Sequence, residues 1–256
     1  MIDLHCHMLP GLDDGACNLE ISLEMARMAV ADGITVVACT PHIRPGLYHN
    51  TGAQILAATD RLRNALQESG IDLQLICGAD AHMTVRFTDK LAKREIPTLG
   101  GSRYVLVEPP HHVAPIRLEQ FFFEILIAGY IPILTHPERL RWIADRYTTI
   151  ERLSQNGVWI QVTSGSLIGN FGREPRYWAE RMLTDGYIHL LATDAHDTRR
   201  RAPDLSKGRE AAARRVGERE ATNMVLTRPK GIIENEPPSN LPLPFGQQSQ
   251  TSPSMA

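Results

Sequence analysis

One unit recurs along this chain of 256 residues: an amphipathic segment, then a glycine, then a short β-branched or apolar run. The glycines in question are Gly33, Gly70, Gly129, Gly157 and Gly186. A glycine just past the end of a helix adopts the left-handed conformation that closes the helix, after which the chain enters a strand. The repeated junctions predict alternating helices and strands, and strands connected in this way form a parallel sheet.

About seven strands can be counted from these runs. They cover residues 2–5, 34–40, 73–77, 104–108, 131–136, 158–163 and 189–194. Seven strand–helix units within roughly 200 residues fit an α/β barrel better than an open parallel sheet. Periodicity alone leaves the open sheet as an alternative, because both folds repeat the same unit.

Composition narrows the class of protein and the extent of the domain. The formal net charge of −2 lacks the basic footprint of a nucleic-acid binder, and no apolar run reaches the roughly 20 residues of a membrane helix. The amino terminus does not look like a signal peptide, so we expect a cytoplasmic protein. Residues 236–256 are rich in Pro, Ser and Gln, which predicts a disordered tail after a single domain of residues 1–235.

Histidines and carboxylates stand at the ends of six predicted strands and in the first loop. They are His5, His7, Asp14, His42, Asp80, Glu108, His136, Asp194 and His196, with Asp13 as an alternative to Asp14. The carboxyl ends of parallel strands meet at one rim, where active sites of such folds are built. The His5/His7 pair alone fits a metal site no better than two ordinary strand-end histidines. Taken together, the residues at this rim favour a metal site over ordinary polar strand ends.

The number of candidate ligands exceeds what one tetrahedral ion with an open position uses. Two or three divalent ions, with Asp80 or Glu108 as a bridge, would employ all of them. Such a cluster suits phosphoryl transfer, because it generates hydroxide at neutral pH and stabilises the oxygens of the phosphoryl group.

Two arginines that follow ligand strands fit a phosphate substrate. Arg139 comes directly after His136-Pro137-Glu138, and Arg201 ends an Arg199–Arg201 triplet, in which the phosphate-binding member is ambiguous by one residue. Guanidinium groups bind phosphate bidentately and stay charged. None of the four cysteines begins a Cys-x5-Arg loop, which argues against a cysteine-dependent phosphatase, and we expect all four to be reduced core thiols.

With these motifs, the chain resembles the polymerase-and-histidinol-phosphatase (PHP) superfamily. Within it, the sequence is most similar to the bacterial manganese-dependent protein-tyrosine phosphatases of capsule and exopolysaccharide loci. The resemblance covers roughly residues 1–235. It is carried by Met-Ile-Asp-Leu-His-Cys-His with Asp13-Asp14-Gly15, Ile96-Pro97-Thr98-Leu99 before Ser102-Arg103-Tyr104, His136-Pro137-Glu138-Arg139, and Asp194-Ala195-His196 with Arg201-Ala202-Pro203.

The resemblance implies a distorted (β/α)7 TIM-like barrel with a trinuclear metal site, occupied by manganese or by iron, cobalt or zinc. It also implies hydrolysis of phosphotyrosine by a metal-bound hydroxide, with Arg139 and Arg201 binding phosphate and His196 as one possible proton donor. The implied partner is a phosphotyrosine protein, such as the tail of a bacterial tyrosine kinase that controls polysaccharide synthesis. Asp80 stands where that family usually has a bridging glutamate.

Three alternatives remain open. The same chemistry could act on a small phosphomonoester such as histidinol phosphate. Amidohydrolases also begin with His-x-His, but they usually need a lysine at the fourth strand end, where this chain has Glu108. A non-catalytic scaffold would be expected to have lost ligands.

Overall fold

We describe residues 1–246 of the chain from a computed structural model. All strand pairs in it are parallel. The strands are β1 (Ile2–Cys6), β2 (Val36–Cys39), β3 (His42–Ile43), β4 (Gln74–Cys77), β5 (Asp80–His82), β6 (Tyr104–Glu108), β7 (Ile131–Thr135), β8 (Trp159–Thr163) and β9 (Leu190–Ala192). Each of the seven predicted strands is present, with bounds that differ by one or two residues at some ends.

Helices follow most of the strands, as the repeated unit predicts. They are α1 (Leu19–Ala31), α2 (Gly52–Glu68), α3 (Phe87–Ala92), α4 (Leu118–Ile127), α5 (Ile143–Gln155), α6 (Ser164–Leu167), α7 (Arg173–Thr184), α8 (Ser206–Val216), α9 (Glu218–Thr222) and α10 (Arg228–Ile233). Short 3-10 turns cover Leu99–Gly101, Pro137–Arg139 and Pro238–Asn240, and a π turn covers Asn223–Thr227. Among the described residues, no helix combines the length and apolar character needed to cross a bilayer.

The strand order follows the order of the chain. One sheet has the order β1-β2-β4 and the other β3-β5-β6-β7-β8-β9. The breaks fall at Thr40-Pro41 and Gly78-Ala79, and just after each break a further short strand, which was not predicted, begins in the other sheet. A parallel bridge from Cys6 to Ala195 places the end of the last strand beside the first. This is the neighbour order of a distorted seven-unit α/β barrel, as predicted.

The glycines at the helix–strand junctions adopt the left-handed conformation that the sequence pattern predicts. Gly33, Gly70, Gly129, Gly157 and Gly186 have φ angles of 84°, 64°, 86°, 90° and 75°. A side chain would strain each of these positions, so glycine fixes where each helix ends and the next strand begins.

Apolar side chains fill the space on both sides of the strands. The inner core takes alternate residues from the strands, including Leu4, Tyr104, Leu106 and Trp159. The outer core, which includes Val105, Val107 and Phe122, packs the strands against the helices. Because Tyr104 and Leu106 face inward, period-two alternation also turns Glu108 toward the interior, at the carboxyl end of β6.

The amino ends of the strands are closed by a buried ion pair. Arg228 is fully buried and donates to Glu220 Oε1 at 2.8 Å, to the Pro242 carbonyl at 2.7 Å and to the Leu243 carbonyl at 2.8 Å. These bonds hold residues 242 and 243 against the domain. Part of the predicted tail therefore makes specific contacts. Residues 247–256 of that tail lie outside the described residues, and the domain boundary at residue 235 stays a prediction.

The cysteines are free thiols. Cys6 and Cys39 are buried and Cys77 is half-buried, as expected for core positions, whereas Cys17 is exposed. The expectation of a core thiol is therefore wrong for Cys17, because it lies in the loop before α1, outside the packed strand and helix faces.

Candidate metal centre

The candidate ligands converge on one rim of the fold. His5 lies in β1, His42 begins β3, Asp80 begins β5 and Glu108 ends β6, while His136 follows β7. His7, Asp194 and His196 lie just beyond the ends of β1 and β9, and Asp14 lies in the loop after β1. Most of these side chains are buried; His42 is half-buried and the Asp14 side chain is 49% exposed. The fold thus brings the whole predicted set together.

An irregularity in β1 turns His5 and the following His7 inward. The β1–β2 register shifts between Asp3 and Cys6. Before the shift Leu4 belongs to the inner core, whereas Cys6 belongs to the outer core. An extra residue of this kind re-aims the side chains that follow it. His5 and His7 consequently face the same interior space as the inner core.

The ring nitrogens of His5 and His7 are arranged as metal ligands. His5 Nδ1 lies 2.9 Å from Gln161 Oε1, and His7 Nδ1 lies 2.7 Å from Asp13 Oδ2. These acceptors fix the proton on Nδ1 when the rings are neutral, which leaves the Nε2 lone pairs free. The two Nε2 atoms are 3.1 Å apart. Two lone pairs directed at one point are expected where a cation binds.

Asp80 and Asp194 supply carboxylate oxygens to the same space. Asp80 Oδ2 lies 3.5 Å from His5 Nε2, 3.3 Å from His42 Nδ1 and 3.8 Å from His136 Nε2. Asp194 Oδ1 lies 3.3 Å from His5 Nε2. Asp80 has the central position that a bridging ligand requires, although it is shorter than glutamate.

Several buried nitrogen and oxygen atoms of this centre, all of them potential metal ligands, have no hydrogen-bond partner within the described part of the chain. They are His42 Nδ1, Asp80 Oδ2, Glu108 Oε2, His136 Nδ1, Asp194 Oδ1 and His196 Nε2. A buried polar atom left unpaired costs about 1–3 kcal/mol, so native proteins rarely keep several together without a ligand. Imidazole nitrogen and carboxylate oxygen are the ligand atoms that bind zinc, manganese and iron ions in proteins. The residues therefore fit divalent metal ions.

The potential ligand atoms form overlapping groups. Three or more of them lie within 4.8 Å of one another in each of several sets, such as His7, Asp14, His42 and His196, and separately His5, His136 and Asp194. A third set joins His42, Asp80 and Glu108. His42 thus belongs to two of these three sets, as expected for a cluster with shared ligands.

The charges in the centre strongly influence one another. Burial lowers the pKa of His5, but the carboxylates of Asp194 and Asp80 outweigh it and raise this pKa to about 9. Burial raises the pKa of Asp194, yet His5 and two arginines hold it well below its ordinary value. The anionic groups therefore attract positive charge to the centre.

The structure distinguishes the two adjacent aspartates. Asp13 Oδ2 accepts from the His42 backbone N–H at 2.8 Å besides contacting His7, and its Oδ1 accepts from Gly15 N–H. Asp14 Oδ1 instead lies 3.6 Å from both His42 Nε2 and His196 Nε2. Asp13 is occupied in positioning other residues, which supports Asp14 as the ligand.

Arg139 and Arg201 both reach the centre. Each donates to Asp194 Oδ2, Arg201 through Nη2 at 2.5 Å. The Arg139 guanidinium also stacks on the Phe171 ring at 4.5 Å from its centroid. Arg199 and Arg200 are exposed. The geometry thus favours Arg201 within the arginine triplet.

Two neighbours of the centre had no role in the sequence interpretation. His111 Nε2 lies 3.1 Å from Glu108 Oε1, and the Tyr48 ring stacks on His42 at 5.7 Å between centroids. The spacing of three residues from Glu108 was a possible signal for His111. No sequence pattern marks Tyr48, because a loop brings it to His42.

Two candidate ligands have left-handed backbone conformations. The φ angle is 34° at His136 and 51° at Asp194. Such conformations are unfavourable for residues other than glycine and cluster at functional sites. His136 directly follows β7 and Asp194 lies two residues beyond β9, so the sharp turn at each position directs the side chain to the rim.

Comparison with known proteins agrees with this geometry. Residues 1–234 match the family described as capsular polysaccharide synthesis, CpsB/CapC. The tyrosine-protein phosphatase YwqE of Bacillus subtilis is 38% identical over 201 residues, which cover 78% of this chain and 79% of YwqE. The tyrosine-protein phosphatase CpsB of Streptococcus pneumoniae is 27% identical, over 92% of this chain and 99% of CpsB.

Solved structures give the same result. A crystal structure from work on YwqE and CpsB, described there as unique metal-dependent tyrosine phosphatases, has a TM-score of 0.88 and 34% identity, and covers 93% of this chain and 96% of that one. A histidinol phosphate phosphatase of Lactococcus lactis has a TM-score of 0.53 at 13% identity and covers 84% of this chain and 94% of that one, so it shares the fold alone. The PHP-type fold and the predicted relatives are confirmed, and the chain belongs to the CpsB/CapC family.

Proposed function

We propose that this protein is a metal-dependent phosphatase that hydrolyses phosphotyrosine in a protein substrate and acts in capsule or exopolysaccharide synthesis. The observation that carries the proposal is the set of unpaired, buried ligand atoms beside two arginines. The named relatives are tyrosine-protein phosphatases. The likeness to a histidinol phosphate phosphatase is one of fold, so the small-molecule alternative has less support.

The proposed ligands are His5, His7, Asp14, His42, Asp80, Glu108, His136, Asp194 and His196. The overlapping groups support two to three divalent ions, of which manganese is the expected one. Such ions supply hydroxide at neutral pH and neutralise charge on phosphoryl oxygens. Uncatalysed hydrolysis of phosphate monoesters is among the slowest reactions known, which suits a site with several cations.

Arg139 and Arg201 bind the phosphoryl group in this proposal. Their side chains are 17% and 24% exposed and line a pocket of about 330 Å³ that also contains Asp14 and Glu108. Each arginine has donor groups beyond the one used by Asp194, so it can hold a phosphate oxygen while it stays paired. The planar stacking of Arg139 on Phe171 restricts its orientation.

His196 was expected to serve as a ligand or as the proton donor to the leaving oxygen. Its ring is only 4% exposed, and its Nδ1 lies 2.9 Å from the Asp194 carbonyl. Its unpaired Nε2 faces Asp14. Because the Asp194 carbonyl accepts the Nδ1 proton of the neutral ring, the Nε2 lone pair stays free on the side of Asp14, and we favour the ligand role.

The partner of this activity is proposed to be the phosphorylated tail of a bacterial tyrosine kinase, and the cytoplasmic location stays a prediction. The test uses purified protein loaded with Mn²⁺, with p-nitrophenyl phosphate and a phosphotyrosine peptide as substrates. We expect the protein to hydrolyse both substrates. A chelator should stop this hydrolysis, and added Mn²⁺ should restore it. If the Mn²⁺-loaded protein hydrolysed neither substrate, the proposal would be refuted.

A further inference from the structure

A groove of about 530 Å³ lies directly beside the metal pocket. Pro110 lines both spaces. The groove runs between the segment after β5 and the start of α4, and its walls include Met83, Val85, Phe121 and Ile125. None of these four residues belongs to the proposed metal centre. Any chain that leaves the metal pocket on this side enters the groove.

Branched apolar side chains are exposed around this groove and the adjoining pocket. Val85 is 82% exposed in the groove wall, Val113 is 71% exposed beside the metal pocket, and Ile116 in the connecting loop is fully exposed. Clustered exposed aliphatic groups mark surfaces that bind another molecule, because covering them removes apolar area from water.

The groove is held at a fixed position relative to the candidate ligands. The Met83 backbone N–H donates to the Glu108 carbonyl at 3.0 Å, and the Trp142 indole donates to the Pro110 carbonyl at 2.8 Å. Glu108 is itself a proposed ligand. A segment bound in the groove would therefore be aligned with the reacting phosphoryl group.

Cationic side chains accompany the apolar ones. Arg86 and Arg117 line the groove, and Arg44 lines the metal pocket. Arg86 pairs with Asp89, whereas within residues 1–246 no carboxylate pairs with Arg117 or Arg44. Glu124, the acidic residue of the groove wall, accepts from Gln120 at 3.0 Å. Glu124 keeps its negative charge, but Arg117 and Arg44 outnumber it, so the net charge at this rim is positive and complements an acidic segment.

We propose that this groove binds the polypeptide that flanks the phosphotyrosine, with an apolar residue against Val85 and an acidic residue near Arg117. This rests on the proposed function. With the phosphoryl group in the metal pocket, the tyrosine ring separates it from the peptide backbone, which therefore lies at the rim where the groove begins. An extended peptide presents alternate side chains to such a surface. The substrate is thus a protein segment with apolar and acidic neighbours.

The test compares Val85→Asp and Arg117→Glu with wild type, all loaded with Mn²⁺. Phe123→Asp is the matched control, since Phe123 is 59% exposed on α4 outside this groove. The substrates are p-nitrophenyl phosphate, phosphotyrosine peptides with Leu and Glu on either the amino or the carboxyl side, and a glycine-flanked peptide.

Wild type should prefer one Leu/Glu peptide over the glycine-flanked peptide. Val85→Asp and Arg117→Glu should each reduce kcat/KM for that peptide by about tenfold, mainly through KM. Turnover of p-nitrophenyl phosphate should stay within about twofold of wild type, and Phe123→Asp should affect neither substrate.

Equal kcat/KM for all peptides in wild type would overturn the groove proposal, as would equal losses on the peptide and on p-nitrophenyl phosphate. In both of these outcomes the wild type would still hydrolyse p-nitrophenyl phosphate and the peptides, so the proposed function would not be refuted. If wild type with Mn²⁺ hydrolysed neither substrate class, the proposed function and the groove proposal would both be refuted.

Discussion

The two ends of the barrel both bury charged side chains, but they differ in how the polar atoms are satisfied. At the amino end, the Arg228 guanidinium is bonded to Glu220 and to the carbonyls of His189, Pro242 and Leu243. At the carboxyl end, buried atoms such as Asp80 Oδ2 and Asp194 Oδ1 have no hydrogen-bond partner in the described chain.

This difference separates a structural use of buried charge from a functional one. A buried ion pair that serves the fold needs every donor and acceptor satisfied by the chain itself, because desolvation is otherwise uncompensated. A site that binds cations keeps its lone pairs free. The amino end should therefore respond to mutation through stability, and the carboxyl end through metal binding and catalysis.

The largest expected effect is at the carboxyl end. Asp80→Asn should reduce kcat on p-nitrophenyl phosphate by about 10³-fold, because it removes the anionic oxygen placed between three histidines. Steady-state kinetics at saturating Mn²⁺ measure this. Asp60→Asn, at an exposed carboxylate of α2, is the matched control and should be neutral. Activity of Asp80→Asn within about tenfold of wild type would contradict the central position of Asp80.

The amino end gives the next largest effect, on stability alone. Arg228→Met leaves Glu220 buried without its partner and should lower the free energy of unfolding by about 3 kcal/mol. Chemical denaturation measures the loss, and kcat of the folded protein should not change. The double variant Arg228→Met/Glu220→Leu should recover much of the stability. A loss of kcat equal to that of Asp80→Asn would contradict the separation of the two ends.

A pH titration sharpens the same contrast. Burial and the nearby Arg228 lower the pKa of His189 from its ordinary 6.5 to about 3. Between these values the unfolded chain binds a proton that the folded chain does not, so stability is full above pH 6.5 and falls as pH decreases toward 3. His189 should account for about 2 kcal/mol of loss between pH 6.5 and 5. The loss of unfolding free energy over this pH range should be smaller by this amount in His189→Asn. Identical pH dependence of stability in the variant and the wild type would contradict the role of His189.

The smallest expected effect concerns the arginine that stacks at the carboxyl end. Phe171→Leu removes the ring under Arg139 and should lower kcat/KM by about fivefold. Phe171→Tyr, which keeps the ring, should retain wild-type activity. In an Arg139→Lys background the Phe171→Leu substitution should have little further effect, because Lys lacks the planar group. Additive losses in that double variant would show that Phe171 does not act through Arg139.

The sequence predicts the regular parts of this fold well. Tyr104–Glu108 has the predicted bounds because a continuous apolar run, buried on both faces of the sheet, ends at a carboxylate. The short strands β3 and β5, which begin at His42 and Asp80, were not predicted, since two or three residues carry no periodic pattern and their pairing is tertiary. Strand ends could thus be predicted better than strand breaks.

The candidate site shows the same limit. The sequence places the ligands on one rim through topology alone, but it does not decide between Asp13 and Asp14. That distinction depends on which aspartate reaches the His7 Nδ1 atom across a loop. Arg201 could likewise not be separated from its neighbours, because the turn around Asp197 decides which arginine faces inward.

The metal content of the 256-residue protein tests the central claim most directly. Protein loaded with Mn²⁺, desalted and measured by elemental analysis should hold about two to three ions per chain, and Asp80→Asn should hold fewer. Circular dichroism should show both proteins folded. One ion or none per chain in the active wild-type protein would contradict a polynuclear centre at the carboxyl end of the barrel.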